Sequence, residues 1–272
     1  MQFSTVKIWS CAILLISFLA IAAALPKEYQ LKTQVDTNSR FMTADHLLAS
    51  YIVNDKNQVM KYDSTGQLIG RLSEKRYGDV TSVDVTSPFN ILVFFKDFAT
   101  IIATDNNLSP RTLYRLGSLG INEVSAAALG SDNNVWFFDL YDSRLKKINP
   151  KYEIVYQSIV VNEMLGIPIN PSFIIERDQK VYVCDPEVGI LVFDIFANYY
   201  NAFPVTGIEH FQVLNNTIVF SQGNQLSLFN MQEMDVRTLP LPDSVGDIKN
   251  IHIEKDMLFV LNEEGLLLYE SK

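Results

Sequence analysis

Short apolar runs broken by turn-forming residues repeat along this chain with a fixed grammar. Six times a run of about five residues ends on a bulky or β-branched residue followed by Asp, Asn or Glu: Tyr62-Asp63, Thr104-Asp105, Ile148-Asn149, Phe193-Asp194, Phe229-Asn230 and Tyr269-Glu270. The spacings are 42, 44, 45, 36 and 40 residues. A second apolar run lies just upstream of each, separated from it by a turn. The clearest case is 180–185, then Pro186-Glu187-Val188, then 189–194. Strand, polar turn and strand predict a β-hairpin. The same reading pairs 51–54 with 58–63, 91–95 with 100–105, 135–139 with 145–149, 218–221 with 225–230, and 257–262 with 266–270.

Between hairpins there is room for two more strands. Apolar pieces at 40–43, 80–85, 124–129, 172–175, 211–214 and 248–253 precede the hairpins, and pieces at 67–72, 112–114, 154–158, 199–203 and 236–239 follow them. Four antiparallel strands recurring about every forty residues predict an all-β, six-bladed propeller, with the upstream pieces innermost. The sixth repeat has no downstream piece, and 29–35 reads as a strand ahead of the first innermost one. The amino-terminal strand is therefore expected to complete the last blade.

The segment from Val181 to Asp194, followed by Asn198-Tyr199-Tyr200, resembles the NHL type of repeat, in which a strand ending in Asp leads to a second strand ending in Phe-Asp; Asp63-Ser64-Thr65-Gly66-Gln67 is similar. The chain is also similar to secreted bacterial propeller proteins of unassigned function. The resemblance implies architecture, and one such fold hosts many functions.

Composition narrows the setting. Residues 1–24 carry Lys7, an apolar stretch over 8–19 and Ala22 and Ala24 ahead of Leu25, which reads as a secretory signal with an A-x-A cleavage site. The domain expected after it is 25–272, exported to a periplasm or cell envelope, with no transmembrane segment in the mature chain. Without the signal the net charge is 21 − 31 = −10, which opposes phosphate backbones and makes nucleic acid an unexpected partner. Cys184 follows an apolar run and reads as a small buried hydrophobe. The core has to hold without disulfides.

Chemistry is sparse. The chain has no H-E-x-x-H, paired C-x-x-C, G-x-x-x-x-G-K-[ST] or G-x-S-x-G motif. His46, His210 and His252 fall in or beside innermost strands, which places Asp45, His46, His252 and Glu254 as candidates to line a channel and, as the one cofactor option, to hold a divalent metal. His210, at its strand's start, is expected near the opposite mouth. A second candidate is the loop around Met164, Leu165 and Ile167, apolar enough to meet a protein partner or to cap the core. The leading expectation is a non-catalytic platform binding a protein or small ligand at one propeller face. Its rivals are a metal-dependent hydrolase or lactonase, which requires carboxylates such as Glu176, Asp84 and Asp45 to converge in the channel, and a structural subunit of an envelope complex.

Overall fold

The computed structural model describes residues 29–271. Six four-stranded antiparallel sheets follow one another along the chain and form the blades of a propeller. From the innermost strand outwards, blade one is Ser39–Ala44, Ser50–Asn54, Gln58–Tyr62 and Leu68–Ser73, and blade four is Phe173–Arg177, Lys180–Asp185, Gly189–Asp194 and Tyr199–Phe203. The segment 1–24, read from sequence as a secretory signal, lies outside the described residues.

The recurring Asx residues have a local cause. Asp63 Oδ1 accepts the backbone N–H groups of Thr65 and Gln67, Asp105 Oδ1 those of Asn107 and Ser109, Asn149 Oδ1 those of Lys151 and Glu153, and Asp194 Oδ1 those of Phe196 and Asn198. Each side chain closes the turn between the third and outermost strands of its blade, a role for which Asp and Asn are suited. Asn230 does the same for Gln232 and Glu233. The exception is Glu270, whose neighbouring outer strand comes from the other end of the chain.

That strand closes the ring. Tyr29–Val35 pairs antiparallel with Gly265–Ser271, from Tyr29 against Ser271 to Val35 against Leu266, with a bulge between Leu31 and Thr33. Gly265 adopts φ +119 there, and a Cβ at this position would collide with the Val35 carbonyl oxygen. Only glycine meets both conditions.

The core lies between blades. Along Val135–Asp139, Val135 and Phe137 pack towards blade two, whereas Trp136 and Phe138 pack towards blade four. Alternation of this kind in a strand with two buried faces makes its apolar run continuous. Phe94 and Phe95 divide likewise between the two seams that flank blade two. Aromatic pairs on inner strands are thus fully used in packing, while Tyr199 and Tyr200, on an outer strand, are exposed. Among the described residues no helix is long and apolar enough to cross a membrane.

Candidate functional site

The innermost strands surround a cavity of about 240 Å³ on the ring axis, lined by residues of blades one, two, four, five and six. Because each blade begins at its innermost strand, these strands all run the same way. The cavity therefore has a strand-start end and a strand-finish end.

Three rings from three blades meet at the strand-start end. His210, just before the innermost strand of blade five, lies with its centroid 5.0 Å from Phe41 of blade one and 5.3 Å from Phe173 of blade four. Blades one and five are not neighbours, so the first contact spans the channel. Phe211 packs edge-on against Phe173 at 5.3 Å and completes the cluster. Burial among these rings pushes the His210 imidazole below its ordinary pKa and keeps it neutral. Its Nδ1 is buried without a hydrogen-bond partner, as is Oδ1 of Asn250 on the innermost strand of blade six.

Midway along the channel, Gln212 ties blade five to blade six. Its Oε1 accepts the Ile253 N–H at 2.8 Å, and its Nε2 donates to the Ile253 carbonyl at 2.9 Å and lies 2.9 Å from His252 Nε2. Since the Ile253 N–H fixes which end of the amide is oxygen, His252 Nε2 acts as acceptor and the ring carries its proton on Nδ1. Burial lowers the His252 pKa to about 3.

The sequence candidates scatter across this geometry. Asp45 is buried and committed to its own turn: Oδ1 accepts the N–H groups of Leu47 and Ala49, and Oδ2 accepts the Tyr51 hydroxyl at 2.8 Å. His46 is exposed beyond the end of its strand, and Glu254 lines the same strand-finish end. His252 is held by Gln212 rather than brought to His46. The carboxylates that a hydrolase would need also part company. Asp84 accepts the N–H groups of Thr86 and Leu129, and burial raises its pKa. Glu176 turns out of the channel into the seam between blades three and four, where it meets Ser131, Trp136 and Lys147. Among the described residues no three of His, Cys, Asp and Glu gather in a metal-holding group. The four nominated residues are thus individually placed, and only His252 and Glu254 share a strand.

The second candidate loop folds as a short helix, Val161–Leu165, ended by Gly166. Val161 is fully buried, and Met164 and Leu165 pack on the apolar seam between blades three and four. Ile167 is 47% exposed. The loop caps the core and leaves one apolar side chain on the strand-start face.

Sequence reasoning nominated neither Gln212, Asn250 nor the Phe41–Phe173 pair. Gln212 and Asn250 sit on predicted innermost strands among apolar neighbours, a signal that was present. The Phe41–His210 contact joins residues 169 positions apart and had none.

No family model matches the sequence, and no curated protein matches it. Solved structures do match its shape. A streptogramin B lyase aligns with a TM-score of 0.60 at 14% identity over 90% of this chain and 97% of that one. A structural-genomics protein of unknown function from Bacteroides thetaiotaomicron aligns with a TM-score of 0.65 at 11% identity over 90% and 72%. BamB from Moraxella catarrhalis aligns with a TM-score of 0.51 at 11% identity over 83% and 82%. Likenesses at these identities establish the propeller fold and nothing finer.

Proposed function

We propose that the protein is an exported, non-catalytic binding platform whose ligand site is the central channel. The observation that carries this reading is the cavity itself, about 240 Å³ in volume, bridged at one end by Phe41, His210 and Phe173 and walled by strands fixed to one another across blades. A preformed concave site with apolar walls and a few polar groups is the ordinary form of a small-molecule site. The placement of three carboxylates supports the non-catalytic part of this reading. Asp45, Asp84 and Glu176 are each tied to backbone or seam groups rather than converging in the channel. Among the structural neighbours, an inactive virginiamycin B lyase from Staphylococcus aureus is described with quinupristin, 12% identical and with a TM-score of 0.60, so a propeller of this shape accommodates a ligand. Export rests on the signal-like segment, and Ile167 is the remaining candidate contact for a protein partner on the strand-start face.

The test is a small-molecule screen read by NMR at the imidazole resonances of His210 and His252. Binders that shift both rings, with no turnover, are expected. Binders that shift only surface residues, or hydrolysis that depends on an added divalent ion, overturn the reading. Export is checked separately by sequencing the mature amino terminus, which should begin at Leu25.

A further inference from the structure

The polar inventory of the strand-start end says what the channel's occupant looks like. Two buried atoms there have no partner, His210 Nδ1 and Asn250 Oδ1. A buried polar atom left unsatisfied is destabilising, so each is a standing demand for a hydrogen bond. The two stand close in height. Gln212 is level with Ile253, and His210 and Asn250 lie two and three residues back along the same two parallel strands. Asn250 Oδ1 can only accept, so it requires a donor. His210 Nδ1 in a neutral ring donates in one tautomer and accepts in the other.

Among the described residues, buried charge is absent from this end: Glu209, beside His210, is exposed. Lys249 points to Glu263 at 3.0 Å, and other ionisable side chains that line the cavity, Asp45, His46, Asp84, Arg177 and Glu254, lie at or near the finishes of their strands. Phe41 and Phe173 offer flat apolar faces and no counter-charge. An ion pressed between His210 and the two phenyl rings would lose its hydration with no buried counter-charge to replace it. A neutral planar group avoids that loss, stacks on the rings and has room in the cavity of about 240 Å³.

Resting on the channel reading above, we propose that the occupant presents an uncharged, planar group bearing both a donor and an acceptor, such as a carboxamide on a ring, to Asn250 and His210. Its N–H donates to Asn250 Oδ1, its carbonyl accepts from His210 Nδ1, and its ring lies against Phe41 and Phe173.

Three probes of one shape and different charge test this on the full chain: benzamide, benzoate and benzamidine, titrated against the His210 and His252 ring resonances and by calorimetry. Benzamide is expected to bind at least about ten-fold more tightly than either ion, the difference that one unmet hydrogen bond or desolvated charge produces. His210→Phe and Asn250→Leu should each reduce benzamide affinity by about ten-fold while leaving the melting temperature unchanged or higher, because each removes an unsatisfied buried atom. If either replacement prevents folding, Asn250→Ser carries the same expectation. Tighter binding of benzoate or benzamidine with shifts at both rings overturns the ligand class and leaves the channel reading intact. Benzamide binding that neither substitution weakens overturns the assigned contacts. No saturable binding of any probe, with both rings unmoved, removes the channel reading and this inference with it.

Discussion

The seam between blades three and four and the seam between blades six and one hold neighbouring blades by opposite means. In the first, Glu176 is buried and accepts from Trp136 Nε1 at 2.5 Å and from the Ser131 N–H at 2.9 Å; it faces Lys147, whose ammonium stands over the Trp136 ring at 4.7 Å and bonds Asp132 at 2.8 Å. In the second, Met42, Ala44 and Ile52 of blade one meet Met257, Phe259, Leu261, Leu266 and Leu268 of blade six, and among the described residues blade six buries no charged side chain. The apolar seam adjoins the blade where the chain ends join, so its strength comes from area and from the backbone ladder. The charged seam is directional. It fixes which faces meet, at the risk that loss of one member strands the others.

The largest expected effect falls on the closed blade. A chain beginning at Asp36 lacks the strand that pairs with Gly265–Ser271 and leaves the final blade with three strands and an open edge. The loss should exceed the stability of an ordinary domain, about 5–15 kcal/mol, so thermal unfolding followed by circular dichroism should show no cooperative transition. A cooperative melt near that of the intact chain would show that blade six stands without its ladder, and the contrast between the seams would lose its basis.

Next in size is Glu176→Ala, expected to cost about 3–5 kcal/mol by denaturant titration because Lys147 and the Trp136 N–H lose their buried acceptor. The sharper measurement is the double replacement Glu176→Leu with Lys147→Met. Converting the charged seam into an apolar one should restore most of the lost stability, since buried ion pairs exchange for packed apolar groups at little cost. If the double variant is as unstable as Glu176→Ala, the network contributes strength as well as direction.

The seam between blades five and six is intermediate, held by the neutral Gln212 clip, and pH separates it from the others. His252 has a folded pKa of about 3 against an ordinary 6.5. Protons therefore bind the unfolded chain first. The contribution of this ring is fully present above pH 6.5 and is lost as pH falls from there towards 3. At pH 5 the loss should reach about 2 kcal/mol. Asp84 works in the other direction, because its raised pKa favours the folded state once it is protonated. Comparison with His252→Gln isolates the ring: the two stability curves should diverge below pH 6.5, and parallel curves would remove burial of His252 as a source of acid sensitivity.

What the sequence disclosed and what it withheld divide along the same line. The strand ends were legible because Asp63, Asp105, Asn149 and Asp194 act within four residues, on their own turns. The joining of 29–35 to the last blade was legible because five repeats carried an outer strand and the sixth did not. Interactions set by ring curvature were not. Glu176 reads as a channel carboxylate until the blades are placed, and only then does its side chain enter the seam beside Trp136, 40 residues away. Asp45 read as a channel ligand for the same reason, although its Asx turn with Leu47 was within reach of local reasoning. The cluster of Phe41, Phe173 and His210 depends on the diameter of the ring, which no local pattern encodes.

The smallest expected effect probes how far the charged seam extends. Asp132 sits at its outer end with its side chain 43% exposed, bonded to Lys147 and to Asn134. Asp132→Asn keeps an acceptor for the Asn134 N–H and removes only an exposed charge, so it should cost about 0–1 kcal/mol. Ile52→Val in the apolar seam, fully buried, should cost about 0.5–1.5 kcal/mol through its lost methylene. Measured side by side in one denaturant series, a larger loss for the conservative apolar change than for the removed charge would place the worth of the polar seam at its buried Glu176 end. A larger loss for Asp132→Asn would mean that the exposed carboxylate, rather than Glu176, neutralises Lys147, and Glu176→Ala should then fall well short of its expected cost.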